Sequence, residues 1–137
     1  LLDLVQKDAE MFEPLSKAYG LPKETEEQKA GKARIMEAAL KDACSVPLLI
    51  MEKCCEAIEL HKEFAAKGSA LAISDVGVGV ACCRAALLGA SLNVFINTKS
   101  MTDKAYAAEI NEKAEAMISK YAAMADAIFA DVRARFN

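Results

Sequence analysis

The sequence lacks several features that mark common functional classes. It has no tryptophan, one histidine and only 6% aromatic residues in a chain of 137. Its net charge of -3 gives no support to nucleic-acid binding, which needs a basic stripe. No uninterrupted apolar run approaches the roughly 18 residues of a membrane span, and the start has no signal-peptide layout. We therefore expect a single cytoplasmic domain over residues 1–137, with no nucleic-acid or membrane partner.

Metal-binding and disulfide patterns are also missing. The five cysteines include two adjacent pairs, and C-x-x-C spacing is absent. We expect no metal and no disulfide framework, with the cysteines serving as small buried apolar residues in a reducing compartment. The single histidine, His61, stands between Glu59 and Glu63 and is expected on a charged surface. A di-iron bundle is excluded because it would need two Glu-x-x-His motifs.

What the sequence does contain is helical periodicity. Apolar residues recur at helical spacing from Leu1 to about Ala18, and Gly20 to Pro22 end that helix. The segment "TEEQ" predicts a capping box in which Thr25 caps the next helix and Gln28 reaches back. Pro47 lies within that second apolar pattern, which continues to Gly68. Since proline removes one helical hydrogen bond, a kink or break is expected there.

Two further helices are predicted in the second half of the chain. Residues 69–101 contain no sustained apolar/polar alternation, so a strand is rejected, and "GVG" without a preceding strand or third glycine is a weak nucleotide motif. Read as a helix, this segment places small and polar residues on one face: Asp75, Gly79, Cys82, Ala86, Ala90, Asn93 and Asn97. A long amphipathic helix follows from about Asp103 to Arg135. The predicted fold class is all-α, an antiparallel bundle of long helices.

Three stretches carry a resemblance to a known family. Taken in order, "DAEMF" with "LPKETEEQKAGKARIMEAALKDACSVPL", then "AISDVGVGVACCRAALLGASLNVFINTKSM", resemble the formimidoyltetrahydrofolate cyclodeaminase family, which also includes bacterial methenyltetrahydrofolate cyclohydrolases. The family's N-terminal helices, with a Pro-Gly-Gly-Gly-Ser-like stretch, have no counterpart here. The chain also starts without Met inside an amphipathic pattern. We therefore expect N-terminal helices to be missing from this chain.

The resemblance implies an activity in folate one-carbon metabolism. It implies cyclisation of formimidoyltetrahydrofolate to 5,10-methenyltetrahydrofolate with loss of ammonia, or hydrolysis of the methenyl bridge. It also implies no cofactor beyond the folate substrate, and a homodimer or higher homo-oligomer. The alternative from another class is a non-catalytic helical module for dimerisation or scaffolding, which the same amphipathic faces would serve.

Five residues form the predicted site. Asp75 and Asp8 are the candidate catalytic carboxylates, since a carboxylate can both move protons and stabilise a cationic carbon. Ser74, Asn93 and Asn97 are the candidate substrate-binding residues. The alternatives are structural: helix capping or first-turn dipole stabilisation for Asp75, capping for Ser74, and an edge position or a lysine pair for Asp8.

The spacing of these residues suggests an assembly. Asp75 and Asn97 are 22 residues apart, which is about 33 Å along a continuous helix. They cannot touch the same reacting atom within one chain. Either they serve different functions, or a two-fold dimer brings opposite ends of two such helices together. The second alternative is preferred, with the small-residue face from Asp75 to Asn97 buried against helices, partly across the subunit interface.

Overall fold

The computed structural model describes residues 1–137 as four α-helices with no strand. The helices, in chain order, are α1 (Leu2–Tyr19), α2 (Glu26–Lys67), α3 (Ile73–Ser100) and α4 (Lys104–Ala134). The prediction of an all-α bundle is confirmed, and each helix ends within a few residues of its expected boundary.

The predicted caps of α2 are present. The Thr25 hydroxyl accepts a hydrogen bond from the Gln28 backbone N–H at 3.1 Å, and the Gln28 side chain accepts one from the Thr25 backbone N–H at 3.1 Å. Gly68 ends α2, where its N–H donates to the Phe64 carbonyl at 2.7 Å. Both ends are therefore set by local sequence, as expected.

Of the kink or break expected at Pro47, the break is wrong. α2 runs for 42 residues without interruption, and Pro47 lies inside it among fully buried side chains. A proline costs its helix one hydrogen bond and crowds the preceding turn. Here the ring is buried in the bundle core, and that burial, together with the packing of the flanking turns, offsets the local loss.

α2 is the central element of the bundle. It packs against each of the other three helices, α3 and α4 also pack together, and α1 touches only α2. α2 and α3 run antiparallel, since the Cys44 thiol lies 3.8 Å from the Val94 carbonyl while His61 lies against Gly79. One continuous core joins the four helices around fully buried side chains such as Met51, Ile58 and Leu87. This register fixes the height of each site residue, that is, its position along the long axis of the bundle.

The apolar stripes are buried to different extents. On α4 the predicted stripe faces the core, with Ile110, Ala114 and Ile128 buried. On α1 only part of it does: Leu15 is buried, whereas Val5 and Phe12 are exposed. The expectation for α1 is thus only half fulfilled, because this helix has one neighbour and can bury only a narrow strip.

The cysteines separate into two groups. Cys44, Cys54 and Cys55 are buried, as expected, and desolvation raises the pKa of the Cys44 and Cys55 thiols to about 11. Cys82 is exposed and Cys83 is half-buried, so the expectation that all five are core residues is wrong for this pair. Cys82 lies on the outer face of α3 that no helix of this chain covers, whereas Cys83 lies at the edge of that face and packs partly against the core.

α3 also corrects the expectation about apolar segments. By length and composition alone it could cross a membrane, with a mean hydropathy of 1.6 over its most apolar window. Asp75 and Arg84 keep its uninterrupted apolar runs short, which is why the sequence alone predicts no such helix. Buried helices in the core of a soluble protein meet the same criterion, but only 28% of this window is buried within the chain. Much of α3 is therefore an exposed apolar surface.

Candidate functional site

Asp75 and Ser74 lie in the first turn of α3. The N-cap is Ala72, and no side chain caps this helix end. The capping alternatives for Ser74 and Asp75 are therefore wrong. Asp75 retains the possible first-turn dipole role. Both side chains are exposed, and neither makes a hydrogen bond or ion pair within the chain. They are free to meet a ligand or another subunit.

Two glycines let neighbouring helices approach this end of α3. A Cβ on Gly77 would lie 2.9 Å from Cγ1 of Val132 on α4, and a Cβ on Gly79 would overlap the imidazole Nε2 of His61 on α2. His61 is thus half-buried rather than on the charged surface, and its Nδ1 donates to the Ala57 carbonyl at 2.6 Å. The sequence analysis missed this contact, because no local signal pairs residues so far apart in the chain.

The predicted small-residue face points mainly outward. Of its seven members only Ala90 is buried, while Gly79 and Asn97 are half-buried and the rest are exposed. Within the chain, the expected burial of this face against other helices is wrong. The buried face of α3 is offset by about a third of a turn and includes Val76, Val80 and Leu87.

Asn93 and Asn97 lie toward the opposite end of α3, and neither side chain has a hydrogen-bond partner. Asp8 lies at a similar height. The Lys32 side chain on α2 donates to the Tyr19 carbonyl at the end of α1 at 2.8 Å, so these two residues lie side by side. Eleven residues back along α1 from Tyr19 is Asp8, and eleven residues forward along α2 from Lys32 is Ala43. Both steps cover about 16 Å, so Asp8 lies beside Ala43. The adjacent residue of α2, Cys44, contacts Val94. Asp8 is half-buried and has no ion-pair partner, so the lysine-pair alternative is wrong within this chain.

A polar network fixes the α3–α4 connection near Asn97. The Glu37 carboxylate accepts hydrogen bonds from the backbone N–H groups of Thr102, at 2.8 Å, and Asp103, at 3.0 Å. The Thr102 bond is the main cause that lowers the pKa of Glu37. Asp103 pairs with Lys41 at 2.8 Å, and this hydrogen bond lowers the pKa of Asp103. The network holds the end of α3 at a fixed height on α2.

The five predicted residues therefore form two groups within one chain. Asp75 and Ser74 lie at one end of α3, while Asn93, Asn97 and Asp8 lie near the other. α3 is uninterrupted between them, so the 33 Å estimate for Asp75 and Asn97 applies, and the height of Asp8 puts it roughly 28 Å from Asp75 along the bundle. The structure does not bring the two carboxylates together in a single chain.

The comparisons with known proteins agree with the fold and with the motifs. A family model described as formiminotransferase-cyclodeaminase matches residues 1–116, which include all five predicted site residues. The chain belongs to this family. A methenyltetrahydrofolate cyclohydrolase from Methylorubrum extorquens is 38% identical over 137 residues, which is 100% of this chain and 66% of the relative.

Two further family members extend the comparison. A formimidoyltransferase-cyclodeaminase from Sus scrofa is 31% identical over 135 residues, covering 98% of this chain and 25% of the relative. The crystal structure of a formiminotetrahydrofolate cyclodeaminase from Thermotoga maritima matches with a TM-score of 0.72 and 27% identity, covering 95% of this chain and 62% of that one. The chain thus spans about two thirds or less of these family members.

Two other features near these residues could not be predicted from the sequence. One is an exposed apolar stripe on the outer face of α3. The other is a groove beside Ser74 that includes Phe129 and Arg133 of α4 and Phe136 just beyond the end of that helix. No local pattern in the sequence marks this groove, because Phe136 follows the end of α4 and only the fold places both phenylalanines beside α3.

Proposed function

We propose that this protein is an enzyme of folate one-carbon metabolism that forms or opens the 5,10-methenyl bridge of tetrahydrofolate. The observation that supports this most directly is family membership across residues 1–116, together with 38% identity to a cyclohydrolase. Methenyltetrahydrofolate hydrolysis is therefore the first activity to assay, and cyclisation of formimidoyltetrahydrofolate is the second. No bound cofactor is needed for either reaction.

The chemistry calls for proton transfer next to a cationic carbon. In the cyclisation, the second folate nitrogen forms a bond to the formimidoyl carbon, a proton is taken up, and the bond to the departing nitrogen breaks to release ammonia. In the hydrolysis, water adds to the methenyl carbon and one carbon–nitrogen bond breaks to leave a formyl group. A carboxylate such as Asp8 or Asp75 would carry the protons and offset the positive charge.

We further propose that the active protein is a homodimer paired through the outer face of α3. This face carries an exposed stripe at alternating four- and three-residue spacing, consisting of Val78, Cys82, Ala85, Gly89, Leu92 and Ile96. Such spacing suits the pairing of two long helices. No charged residue interrupts the stripe, because Arg84, the one charge between its ends, is turned toward Asp126 of α4 at 2.7 Å.

The charges at the two ends of α3 favour an antiparallel pair. Asp75 and Lys99 lie at opposite ends, and neither has an ion-pair partner in the chain. An antiparallel arrangement centred near Leu87 would align the two stripes and set Asp75 opposite Lys99 of the partner subunit. Opposite charges in this arrangement attract, whereas a parallel pair would place like charges together.

The same pairing would assemble the site from both subunits. Asp75 and Ser74 of one subunit would come to the height of Asn93, Asn97 and Asp8 of the partner subunit. Each dimer would then contain two composite sites, in which Asp75 of one subunit lies level with the asparagines of the other. Asp8 shares this height but lies on α1, which packs on α2 and not on α3, so a complementation experiment decides whether each site has both carboxylates. This pairing accounts for five polar side chains that lie in two distant groups within one chain.

A complementation experiment tests the composite site. Asp8→Asn and Asp75→Asn should each lower turnover by about 10²–10⁴-fold, the usual effect of losing a general acid/base. When the two variants are mixed, unfolded and refolded together, half of the dimers are mixed, and each mixed dimer has one site with both carboxylates. Activity should recover to about a quarter of wild type. If Asp8→Asn and Asp75→Asn each retain normal turnover, the assignment of the two carboxylates is refuted. If the refolded mixture forms dimers but stays inactive, the composite site is refuted.

A matched pair of leucines tests the interface. Leu92→Glu should convert the dimer to a monomer in size-exclusion chromatography with light scattering and abolish turnover. Leu60→Glu, on α2, is the control, since both leucines are more than half exposed in the chain (69% and 55%). A Leu92→Glu protein that remains dimeric and active would place the interface elsewhere. A wild-type dimer without either activity would support the non-catalytic dimerisation or scaffold alternative over the enzyme.

A further inference from the structure

A groove of about 270 Å³ lies between the start of α3 and the end of α4. It is lined by Ser74, Gly77, Val78, Phe129, Val132, Arg133 and Phe136. Small-molecule pockets usually measure about 300–1,000 Å³, so this groove suits one part of a folate rather than the whole. Four of the seven residues lie beyond residue 116, outside the region that the family model matches.

The groove combines aromatic walls with one available cation. Phe129 and Phe136 are 44% and 63% exposed, although aromatic side chains of this size are usually buried. Arg133 is exposed and makes no ion pair. By contrast, Arg135 on the other side of α4 pairs with Asp131 at 2.7 Å and donates to the Ala65 carbonyl at 2.9 Å. Arg133 is therefore free to bind an anionic group.

The position of the groove relates it to the reacting atoms of the substrate. Ser74 lines it, and Asp75 is the next residue. In tetrahydrofolates, one of the two nitrogens that hold the one-carbon unit also carries the aminobenzoyl ring, which ends in a glutamate with carboxylates. A substrate with its one-carbon unit at Asp75 would thus extend an aromatic ring and then an anion away from that residue, and the neighbouring groove offers two phenylalanine rings and one unpaired arginine to receive them.

We propose that the groove binds the p-aminobenzoylglutamate part of the folate, with the ring against Phe129 and Phe136 and a glutamate carboxylate on Arg133. This inference rests on the proposed function. It assigns Phe129 and Arg133 of α4, and Phe136 just beyond that helix, to substrate binding and none of them to the chemical step. Their loss should therefore raise KM and leave kcat nearly unchanged.

The probe is p-aminobenzoyl-L-glutamate, with binding measured by isothermal titration calorimetry on the full-length protein. Phe136→Ala should weaken binding about three- to tenfold, as expected for one aromatic contact. Arg133→Gln should weaken it about tenfold, as expected for a partly solvated charged hydrogen bond. With p-aminobenzamide, which lacks the glutamate, Arg133→Gln should have no effect. Each variant should raise KM for methenyltetrahydrofolate by a similar factor and change kcat less than twofold.

Matched controls lie on the other sides of the bundle. Phe64→Ala removes a ring of similar exposure (52%) on α2, and Lys62→Gln removes an unpaired cation there. Both should bind the probe as wild type does, with helicity checked by circular dichroism. Wild-type binding by Phe136→Ala and Arg133→Gln, or equal losses in the controls, would overturn the proposal. Probe binding that depends on these residues in a protein without turnover would support the groove and count against the proposed function.

Discussion

Gly77→Ala tests the closest contact between α3 and α4. The added Cβ would lie 2.9 Å from Cγ1 and 3.6 Å from Cβ of Val132, whereas carbon atoms pack best at about 3.5–4.0 Å. Valine in a helix has one strongly preferred rotamer, so Val132 cannot turn away at low cost. Only 3% of Val132 is exposed, so there is little free space into which its side chain could move. The helices must therefore separate slightly to admit the methyl group.

The expected free-energy change is the difference between two opposing effects. Replacing a glycine inside a helix by alanine favours folding by about 1 kcal/mol. Overpacking a well-filled contact costs roughly 1–3 kcal/mol. Gly77→Ala should thus destabilise the protein by about 1 kcal/mol. Gly31→Ala is the matched control, because no atom lies within 4 Å of its added Cβ, and it should stabilise the protein by about 0.5–1 kcal/mol.

Urea unfolding followed by circular dichroism gives both values by linear extrapolation. A double variant separates the contact from other effects: Val132→Ala should cost roughly 2 kcal/mol alone by loss of two buried methyl groups. It also makes room for the Cβ at position 77. The double variant should therefore be about 2 kcal/mol more stable than the sum of the single changes, because the overpacking cost of Gly77→Ala is removed. If Gly77→Ala stabilises the protein as much as Gly31→Ala does, the close approach of the two helices is wrong.

Three other predictions follow from the structure. Glu37→Gln should lower stability at pH 7. The folded-state pKa of Glu37 is below its usual 4.5, so the stabilisation that the ionised carboxylate gives the wild type is fully present above pH 4.5. In urea unfolding, the difference in stability between wild type and variant should disappear as pH falls through the lowered pKa. Cys82 should react slowly with iodoacetamide in the proposed dimer and rapidly in Leu92→Glu. Cys44, whose pKa burial raises to about 11, should stay unmodified in both until unfolding, as mass spectrometry would show. His61→Gln should keep kcat within twofold of wild type, and a larger loss would give the imidazole a part in turnover.

The parts of the fold that the sequence could predict are those set by neighbouring residues. The capping box at Thr25, the helix end at Gly68 and the stripe of α4 all depend on spacings of three or four residues. Pro47 was misjudged because its local cost is clear in the sequence, whereas the core that surrounds its ring is built by distant residues. The exposure of Val5 on α1 escaped prediction for a similar reason, since it depends on how many helices pack around α1.

The candidate site shows the same division. The motifs identified Asp8, Asp75 and Asn97 as candidates, and helical rise alone showed that Asp75 and Asn97 are far apart. The height of Asp8 could not be predicted, because it depends on how α1 is aligned along α2. The contact of His61 with Gly79 likewise joins residues of two helices whose register only the fold determines.

The small and apolar residues of "AISDVGVGV" serve two faces of α3. Val76, Gly77 and Val80 face inward, where the glycine admits Val132. Val78 begins the outer stripe, which stays exposed in the chain and carries no charge. A long uncharged stripe in water is unfavourable unless it is covered, and exposed apolar patches of this kind commonly mark interaction surfaces. The proposed second copy of the same stripe would cover it, because antiparallel pairing would match the apolar residues and would set Asp75 opposite Lys99 of the partner subunit. The carboxylate that begins the helix would thereby be positioned by the same contact that covers the stripe, so dimer formation and site assembly should be lost together.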